Sequence, residues 1–435
     1  MNLTSKILIG MLAGLLLGIA LNGLQHSELA PHALVSWLQW ALVDGLFDVI
    51  GAIFIASLKL LVVPLVFVSL VCGCSALGSN SRMGGMAIKT LALYLLTTAL
   101  AVSLALFLAN IIQPGVGMNM GEQMAFSPKE SPSLKAVLIN IFPSNPVKAM
   151  VEGNMLQIIV FSILMGVAIS RSGEPGKKAQ AIFEQFNEVI MTMVIILMHL
   201  APYGVFCMLA KLFAGLGFGA IGDLLKYFMT VVLVLMLHAL GTYSLLLYGM
   251  SRLSPLKFIT NIRPALLFAF STASSSATLP VTLNVAEHRL GVNNSVASFT
   301  LPLGATINMD GTAIMQGVAT VFIAQAFNVD IGIGGYLMVI LTATLASVGT
   351  AGVPGVGLIT LAMVLQQVGL PVEGIALIIG VDRLLDMMRT AVNVAGDSMV
   401  STIIAQGEGL LDQQRFNDLA DTDEYSHPAS TGEHP

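Results

Sequence analysis

The chain of 435 residues is 56% apolar and only 10% charged, with a formal net charge of −5 and a mean hydropathy of +0.86. A soluble domain carries roughly 25% charged residues, so lipid must be the solvent for most of this chain. No basic patch is present, which excludes nucleic acid as a partner. The three cysteines, Cys72, Cys74 and Cys207, lie inside apolar runs; they read as small buried residues and imply no disulfide framework.

Apolar runs long enough to span a bilayer lie at about 7–24, 45–77, 85–112, 137–170, 183–213 and 221–249. The first resembles a signal peptide in position, but it has no small-residue cleavage site and many spans follow it. It is predicted to be the first transmembrane helix. Several runs exceed the ~20 residues that a perpendicular helix needs, so they must tilt or kink. The loops at 78–89, 171–182 and 250–263 carry Arg82, Lys89, Arg171, Lys177, Lys178, Arg252, Lys257 and Arg263, whereas 25–44 has no Lys or Arg. That asymmetry predicts a multi-pass protein of the cell (inner or plasma) membrane with the N-terminus and these loops in the cytoplasm.

Beyond residue 250 the pattern changes. A moderately apolar arm at 257–271 meets Ser271-Thr272-Ala273-Ser274-Ser275-Ser276-Ala277-Thr278-Leu279-Pro280, and a second short arm follows. The stretch 334–368 repeats this design, with Ser347-Val348-Gly349-Thr350-Ala351-Gly352-Val353-Pro354-Gly355 between its arms. Arms this short are predicted to be re-entrant. Each broken element precedes a longer span, at 293–327 and 373–405. Paired, interrupted hydrophobic segments in corresponding halves point to a transporter's binding site. The last residues, 406–435, hold Asp412, Asp418, Asp421, Asp423, Glu424 and Glu433. They read as an acidic, solvated, disordered cytoplasmic tail.

The last span contains Asp382, Asp386, Arg389, Thr390, Asn393 and Asp397. At 100° per residue the later five fall at about 40°, −20°, 80°, 20° and 60° from Asp382, one stripe on an otherwise apolar helix. A mid-membrane charge costs about 2.5–3.5 kcal/mol. Structural ion pairs return little against that desolvation, so the stripe reads as a functional site. In Gly304-Ala305-Thr306-Ile307-Asn308-Met309-Asp310-Gly311-Thr312 the polar residues alternate. An interrupted helix would let Thr306, Asn308, Asp310 and Thr312 converge with freed carbonyls, the oxygen-rich setting that hard cations require. Tyr94, Thr97 and Thr98 share one helix face by their spacing. The serine run lacks a Gly-x-Ser-x-Gly elbow and a placed histidine, so it is not a hydrolase nucleophile. Its hydroxyls and half-helix N–H groups suit a carboxylate instead. His238, inside a span, reads as structural.

Four motifs in order, Ser274-Ser275-Ser276, Asn308-Met309-Asp310-Gly311-Thr312, Gly349-Thr350-Ala351-Gly352-Val353-Pro354-Gly355 and Asp386-Met387-Met388-Arg389-Thr390 with Asn393 and Asp397, resemble the glutamate/aspartate transporter family of dicarboxylate/amino acid:cation symporters. The resemblance runs from the first span to about residue 405. It implies an all-α polytopic fold of eight transmembrane helices and two re-entrant hairpins with inverted repeats. It further implies a homotrimer whose scaffold part (about 1–77 and 137–213) holds a transport part (about 85–112 and 221–405) that moves as an elevator.

By motif, the resemblance assigns Arg389 to the substrate's side-chain carboxylate and Asp386 to its ammonium. Thr312, Thr390 and Asn393 join the substrate site, and the backbone near Ser275 and Val353 takes the α-carboxylate. One sodium site would use Gly304, Asn308, Asn393 and Asp397. A second would use Thr306, Ser347, Val348 and Thr350. A third would use Tyr94, Thr97, Thr98, Asn308 and Asp310. Cofactors are not implied, only co-transported cations.

Charge matching gives the same substrate. An acidic amino acid offers Arg389 a carboxylate and Asp386 an ammonium, whereas a neutral amino acid or a simple dicarboxylate leaves one of the pair uncompensated. The implied activity is sodium-coupled import of L-aspartate or L-glutamate, with proton-coupled glutamate/aspartate or C4-dicarboxylate symport as the alternative. One departure stands out. Where many relatives place a second arginine, this chain has Ala273 and Met387, and Arg383 lies at the stripe's edge. That leaves potassium counter-transport open.

Overall fold

Hydrocarbon offers no water to a backbone, so long apolar segments must satisfy their amides internally as helices. The computed structural model describes residues 3–27, 31–75, 81–118, 142–216, 219–348 and 355–417, and all regular structure there is helical apart from one isolated bridge between Val292 and Leu411. Helix α1 is Leu3–Gln25 and α2 is His32–Ser75, with a π segment at Gln39–Phe47 and Pro64 inside it. Helix α3 is Ser81–Ile112, α4 Pro146–Glu152, α5 Met155–Arg171, α6 Gly173–Met198 and α7 Ala201–Leu216. Helix α8 runs from Gly219–Leu237 through a π turn, His238–Thr242, into Tyr243–Ser251. The remainder are α9 Pro255–Thr272, α10 Ser275–His288, α11 Asn294–Ile307, α12 Asp310–Ala326, α13 Gly332–Ser347, α14 Val356–Gln367, α15 Ile375–Gly407 and α16 Gln413–Asn417.

Among the described residues, α1, α2, α3, α6 and α8 are each long and apolar enough to cross a membrane. Helix α15 has the length as well, about 50 Å for its 33 residues, but it carries the charged stripe. Two expected spans are divided. The apolar run 183–213 becomes α6 and α7, because Pro202 in the first turn of α7 has no N–H to continue the α6 ladder. Within the run 137–170 the described part is helical from Pro146 and bends where Gly153 adopts φ +67°. The arms on either side of the serine run are α9 and α10, which pack together, as do α13 and α14.

The helices pack in two groups. In one, α1 lies along α7, and α2 contacts α5, α6 and α7. In the other, α15 is surrounded by α3, α8, α9, α10, α11 and α12, while α3 also contacts α12 and α13. The groups meet where α2 touches α14 and α7 touches α15. The α1–α7 contact depends on close backbone approach. A Cβ on Gly14 would sit 2.4 Å from the Phe206 carbonyl oxygen, and Gly10 and Gly18 repeat the pattern at four-residue spacing. Gly14→Val is therefore expected to destabilise the protein by about 1–3 kcal/mol, read as a lower melting temperature in detergent. An unshifted transition would show that α1 and α7 separate freely. Outward-facing Leu12, Leu16, Trp37, Trp40, Phe107, Ile111 and Leu245 leave the periphery apolar, a surface suited to lipid.

The end of the chain folds back. Composition marks 406–435 as a solvated tail; most side chains of 408–417 are indeed exposed, but the segment is tied to the rest of the fold by hydrogen bonds and one buried ring. The Asn293 N–H donates to the Leu410 carbonyl at 3.1 Å and the Asp412 N–H to that of Gly291 at 2.8 Å. Phe416 is fully buried, and its carbonyl accepts from Asn261 at 3.1 Å. Lys257 reaches Asn417 at 3.0 Å, and Lys89 pairs with Glu408 at 2.7 Å. Leu411 and Phe416 supply the apolar contacts that an acidic average conceals; most of the tail's acids lie at 418–435, outside the described residues.

Candidate functional site

Helix α15 carries its polar stripe into the interior. Arg389 is fully buried, and its guanidinium is shared between two carboxylates. Nη1 lies 3.0 Å from Asp382 Oδ1 and Nη2 lies 2.8 Å from Asp386 Oδ1. The other Asp386 oxygen, Oδ2, faces Arg383 Nη1 at 3.4 Å and accepts from the Gly355 N–H at 3.3 Å. Asp386 thus ties α15 to the start of α14. The Thr390 hydroxyl donates to the Asp386 carbonyl at 2.8 Å and is satisfied by its own helix. Asn393 spans to the neighbouring break: its Oδ1 accepts from the Gly311 N–H at 2.7 Å. Thr312 is buried beside the cluster. A Cβ on Gly357 would lie 3.3 Å from both Arg389 Nη1 and Thr312 Cγ2, so the α14 backbone passes directly over the guanidinium.

The penultimate span is interrupted as its alternation predicts. Asn308 and Met309 leave helical geometry, at φ −97°, ψ 93° and φ −116°, ψ 49°. The break turns Asn308 and Asp310 into one buried network. The Asn308 amide donates to Asp397 Oδ1 at 3.0 Å, and its oxygen accepts from Thr97 at 3.4 Å. Asp310 Oδ1 accepts from Thr98, while Oδ2 accepts from the Tyr243 hydroxyl at 2.8 Å and lies 3.3 Å from His238 Nε2. Thr97 and Thr98 both donate to the Tyr94 carbonyl, and the Tyr94 hydroxyl donates to that of Thr300 at 3.0 Å. Tyr94, Thr97, Thr98, Asn308 and Asp310 are therefore brought together.

Two buried carboxylates, Asp310 and Asp397, sit in this network with no Lys or Arg at salt-bridge distance among the described residues. Buried charge without a counter-charge is costly. Dense oxygen donors around two such carboxylates form a setting that a hard cation would complete.

The hairpin tips differ in what they offer. At the first, Ala273 takes φ +50° and Ser274 caps α10 by accepting from the Ala277 N–H. Ser275 is buried there, and the local bonds run within the tip, Thr272 meeting Thr278 at 3.2 Å. At the second, Ser347 and Val348 are buried, and the Ser347 hydroxyl donates to the Thr344 carbonyl. Thr306 is exposed and donates back to Leu303. No hydrogen bond joins Thr306, Ser347 and Val348 among the described residues. Thr350 and Val353 lie outside those residues.

Gly304 borders the cation-like network. A Cβ there would lie 2.5 Å from Asp397 Oδ1 and 2.6 Å from the Tyr94 hydroxyl. Gly304→Ala is expected to raise the cation concentration for half-maximal activation by on the order of tenfold, measured as uptake against sodium or proton concentration. An unaltered activation curve would exclude this corner from cation binding.

Sequence reasoning did not find Tyr243, did not give Asp382 its role on Arg389, and read His238 as structural. His238 and Tyr243 are five residues apart, about 140° on an α-helix. The π turn rotates them to one side, with ring centroids 4.6 Å apart, and both then face Asp310. A π turn inside a long helix frequently marks a functional position, but composition alone does not announce one.

The profile of the sodium:dicarboxylate symporter family matches residues 3–406. The chain belongs to that family. Among its relatives, the proton/glutamate-aspartate symporter of Escherichia coli is 34% identical over 95% of this chain and 94% of its own length. The proton/sodium-glutamate symport protein of Bacillus subtilis is 31% identical over 94% of this chain and 93% of its own. The C4-dicarboxylate transport protein of Rhodospirillum rubrum is 34% identical over 84% of each. These family members are transporters and not enzymes, and the chain shares that character.

Proposed function

We propose that the protein imports acidic amino acids, L-aspartate or L-glutamate, coupled to sodium ions. The observation that carries the reading is on α15, where the Arg389–Asp386 pair is one turn from Asn393 and two from Asp397. A recognition element with one charge of each sign thus shares a helix with a buried carboxylate that has no Lys or Arg at salt-bridge distance among the described residues. Arg389 would leave the two aspartates to take the substrate's side-chain carboxylate in its planar fork. Asp386 would exchange that guanidinium for the substrate ammonium. Thr312 and Asn393 would add hydrogen bonds, and the N-terminal ends of α10 and α14 would face the α-carboxylate. Cations would bind among Tyr94, Thr97, Thr98, Asn308 and Asp310, and among Gly304, Asn308, Asn393 and Asp397.

In this reading α1, α2 and α5–α7 form the scaffold of a homotrimer. Helices α3 and α8–α15 form the moving part of an elevator, with α13–α14 as a gate. The separate packing of these two groups supports the division. The contacts of Lys89 with Glu408 and of Lys257 with Asn417 gather the basic loops and the C-terminal segment at one end. That favours a cytoplasmic location for both.

Uptake of radiolabelled L-aspartate into proteoliposomes under an inward sodium gradient, compared with an inward proton gradient, tests the proposal. Sodium-driven accumulation is the expected result. Accumulation driven by protons alone would keep the substrate and discard sodium coupling, and no accumulation under either gradient would overturn the acidic amino-acid reading.

A further inference from the structure

The crevice where the two helix groups meet holds a cavity of about 550 Å³, a size common among small-molecule sites, which favour such boundaries. It is lined by α2, α7 and the turn Val372–Gly374 with the first residues of α15. Ala52, Ala56, Gly215 and Ala376 open it, because side chains this small leave the space between the helices unfilled. The cavity is separate from the site around Arg389. Its lining residue Leu377 precedes Arg389 by twelve positions, about 18 Å along α15.

Charge is confined to one end. Asp44, Asp48, Lys211 and Glu373 border that end. By Ile55, seven residues past Asp48 and about 10 Å further along α2, the wall is apolar. Lys211 pairs with Asp48 at 2.6 Å, and the Gln39 amide donates to Asp44 at 3.1 Å. Three carboxylates thus border the cavity against one ammonium. Among the described residues they do not form a group that would hold a metal ion. Negative charge spread over one end of an apolar cavity is complementary to an organic cation with an apolar body.

We infer that this crevice binds a lipophilic amine, its ammonium among Asp44, Asp48 and Glu373 and its apolar body against Phe47, Ile55 and Leu377. Such a molecule touches α2 and α7 on one side and the start of α15 on the other. It therefore stabilises the arrangement of the two groups that gives the crevice this shape. A bound amine then slows transport without competing with the substrate; this last step rests on the reading that the two groups slide past one another. Lys211 opposes the ligand, because its ammonium occupies Asp48 and repels a second cation.

The test uses the full-length protein with imipramine as the lipophilic amine. Iminodibenzyl, the same tricycle without the aminoalkyl chain, is the uncharged control. Equilibrium dialysis of purified protein against matched empty micelles reads binding. Saturable imipramine binding is expected, with iminodibenzyl at least about tenfold weaker. Asp44→Asn and Glu373→Gln are each expected to weaken imipramine about threefold, and Ala376→Leu, which fills the cavity, to abolish saturable binding. Lys211→Gln is expected to tighten binding about threefold, a shift that a lost fold would not produce. Equal binding of the two tricycles, or an imipramine affinity unchanged across these four variants, would overturn the site. In proteoliposomes, imipramine is expected to lower the maximal rate of L-aspartate uptake and leave its KM unchanged. A raised KM with an unchanged maximal rate would place the amine in the substrate site and overturn the inference. Saturable binding with no effect on uptake would uphold the amine site and overturn the sliding of the two groups. If aspartate proves not to be a substrate, the dialysis arm still decides the site.

Discussion

Arg389→Cys is expected to lower L-aspartate uptake at least about 100-fold, the effect of removing one member of a buried charge pair at a cost of about 3–5 kcal/mol. The guanidinium is wholly enclosed and contacts both Asp382 and Asp386. Its loss removes the partner for the substrate's distal carboxylate and strands two carboxylates at once. The neutral, smaller side chain is expected to admit neutral amino acids, whose ammonium still finds Asp386. Uptake of radiolabelled L-serine beside L-aspartate therefore distinguishes a changed preference from a collapsed fold. Aspartate uptake with an unchanged KM in this variant would remove Arg389 from substrate recognition.

Asp310→Ala is expected to raise the sodium concentration for half-maximal uptake more than about tenfold. Its carboxylate gathers Thr98, Tyr243 and His238, and leaving such buried partners unsatisfied costs about 1–3 kcal/mol each. Asp310→Asn keeps the volume and much of the hydrogen bonding while removing the charge. It isolates the electrostatic part, and its activation curve is expected to shift in the same direction with less effect on thermal stability. Sodium activation identical to wild type in both variants would show that Asp310 serves packing alone.

Much of this arrangement was legible in the sequence because the membrane amplifies the signal of polar residues. Six polar side chains on one stripe of α15, and alternating polar residues at 304–312, stand out where each charge costs several kcal/mol. Turn chemistry likewise located the α9–α10 tip, where Ala273 and Ser274 break the helix. Other features were hidden by their period. A reading at 3.6 residues per turn sends His238 and Tyr243 to different faces, and only the π turn reunites them. Arg383 was placed at the edge of the stripe, since a projection gives a residue's direction from the axis and not the reach of a long side chain. Its contact with Asp386 needed coordinates. Thr306 shows the opposite error: the alternating pattern grouped it with Asn308 and Asp310, but the break begins just after it and leaves its hydroxyl on the last turn of α11.

The stitch between 408–417 and the base of the first hairpin also sets an order of events during synthesis. Val292 pairs with Leu411, a residue made roughly 120 positions later. At about 5–20 residues per second the interval is on the order of ten seconds. Throughout it, the pocket that finally receives Phe416 stays open, and Asn261 lacks the carbonyl it will bond. The hairpin must therefore enter the bilayer and wait in an incomplete form, its base completed by residues made after the last span.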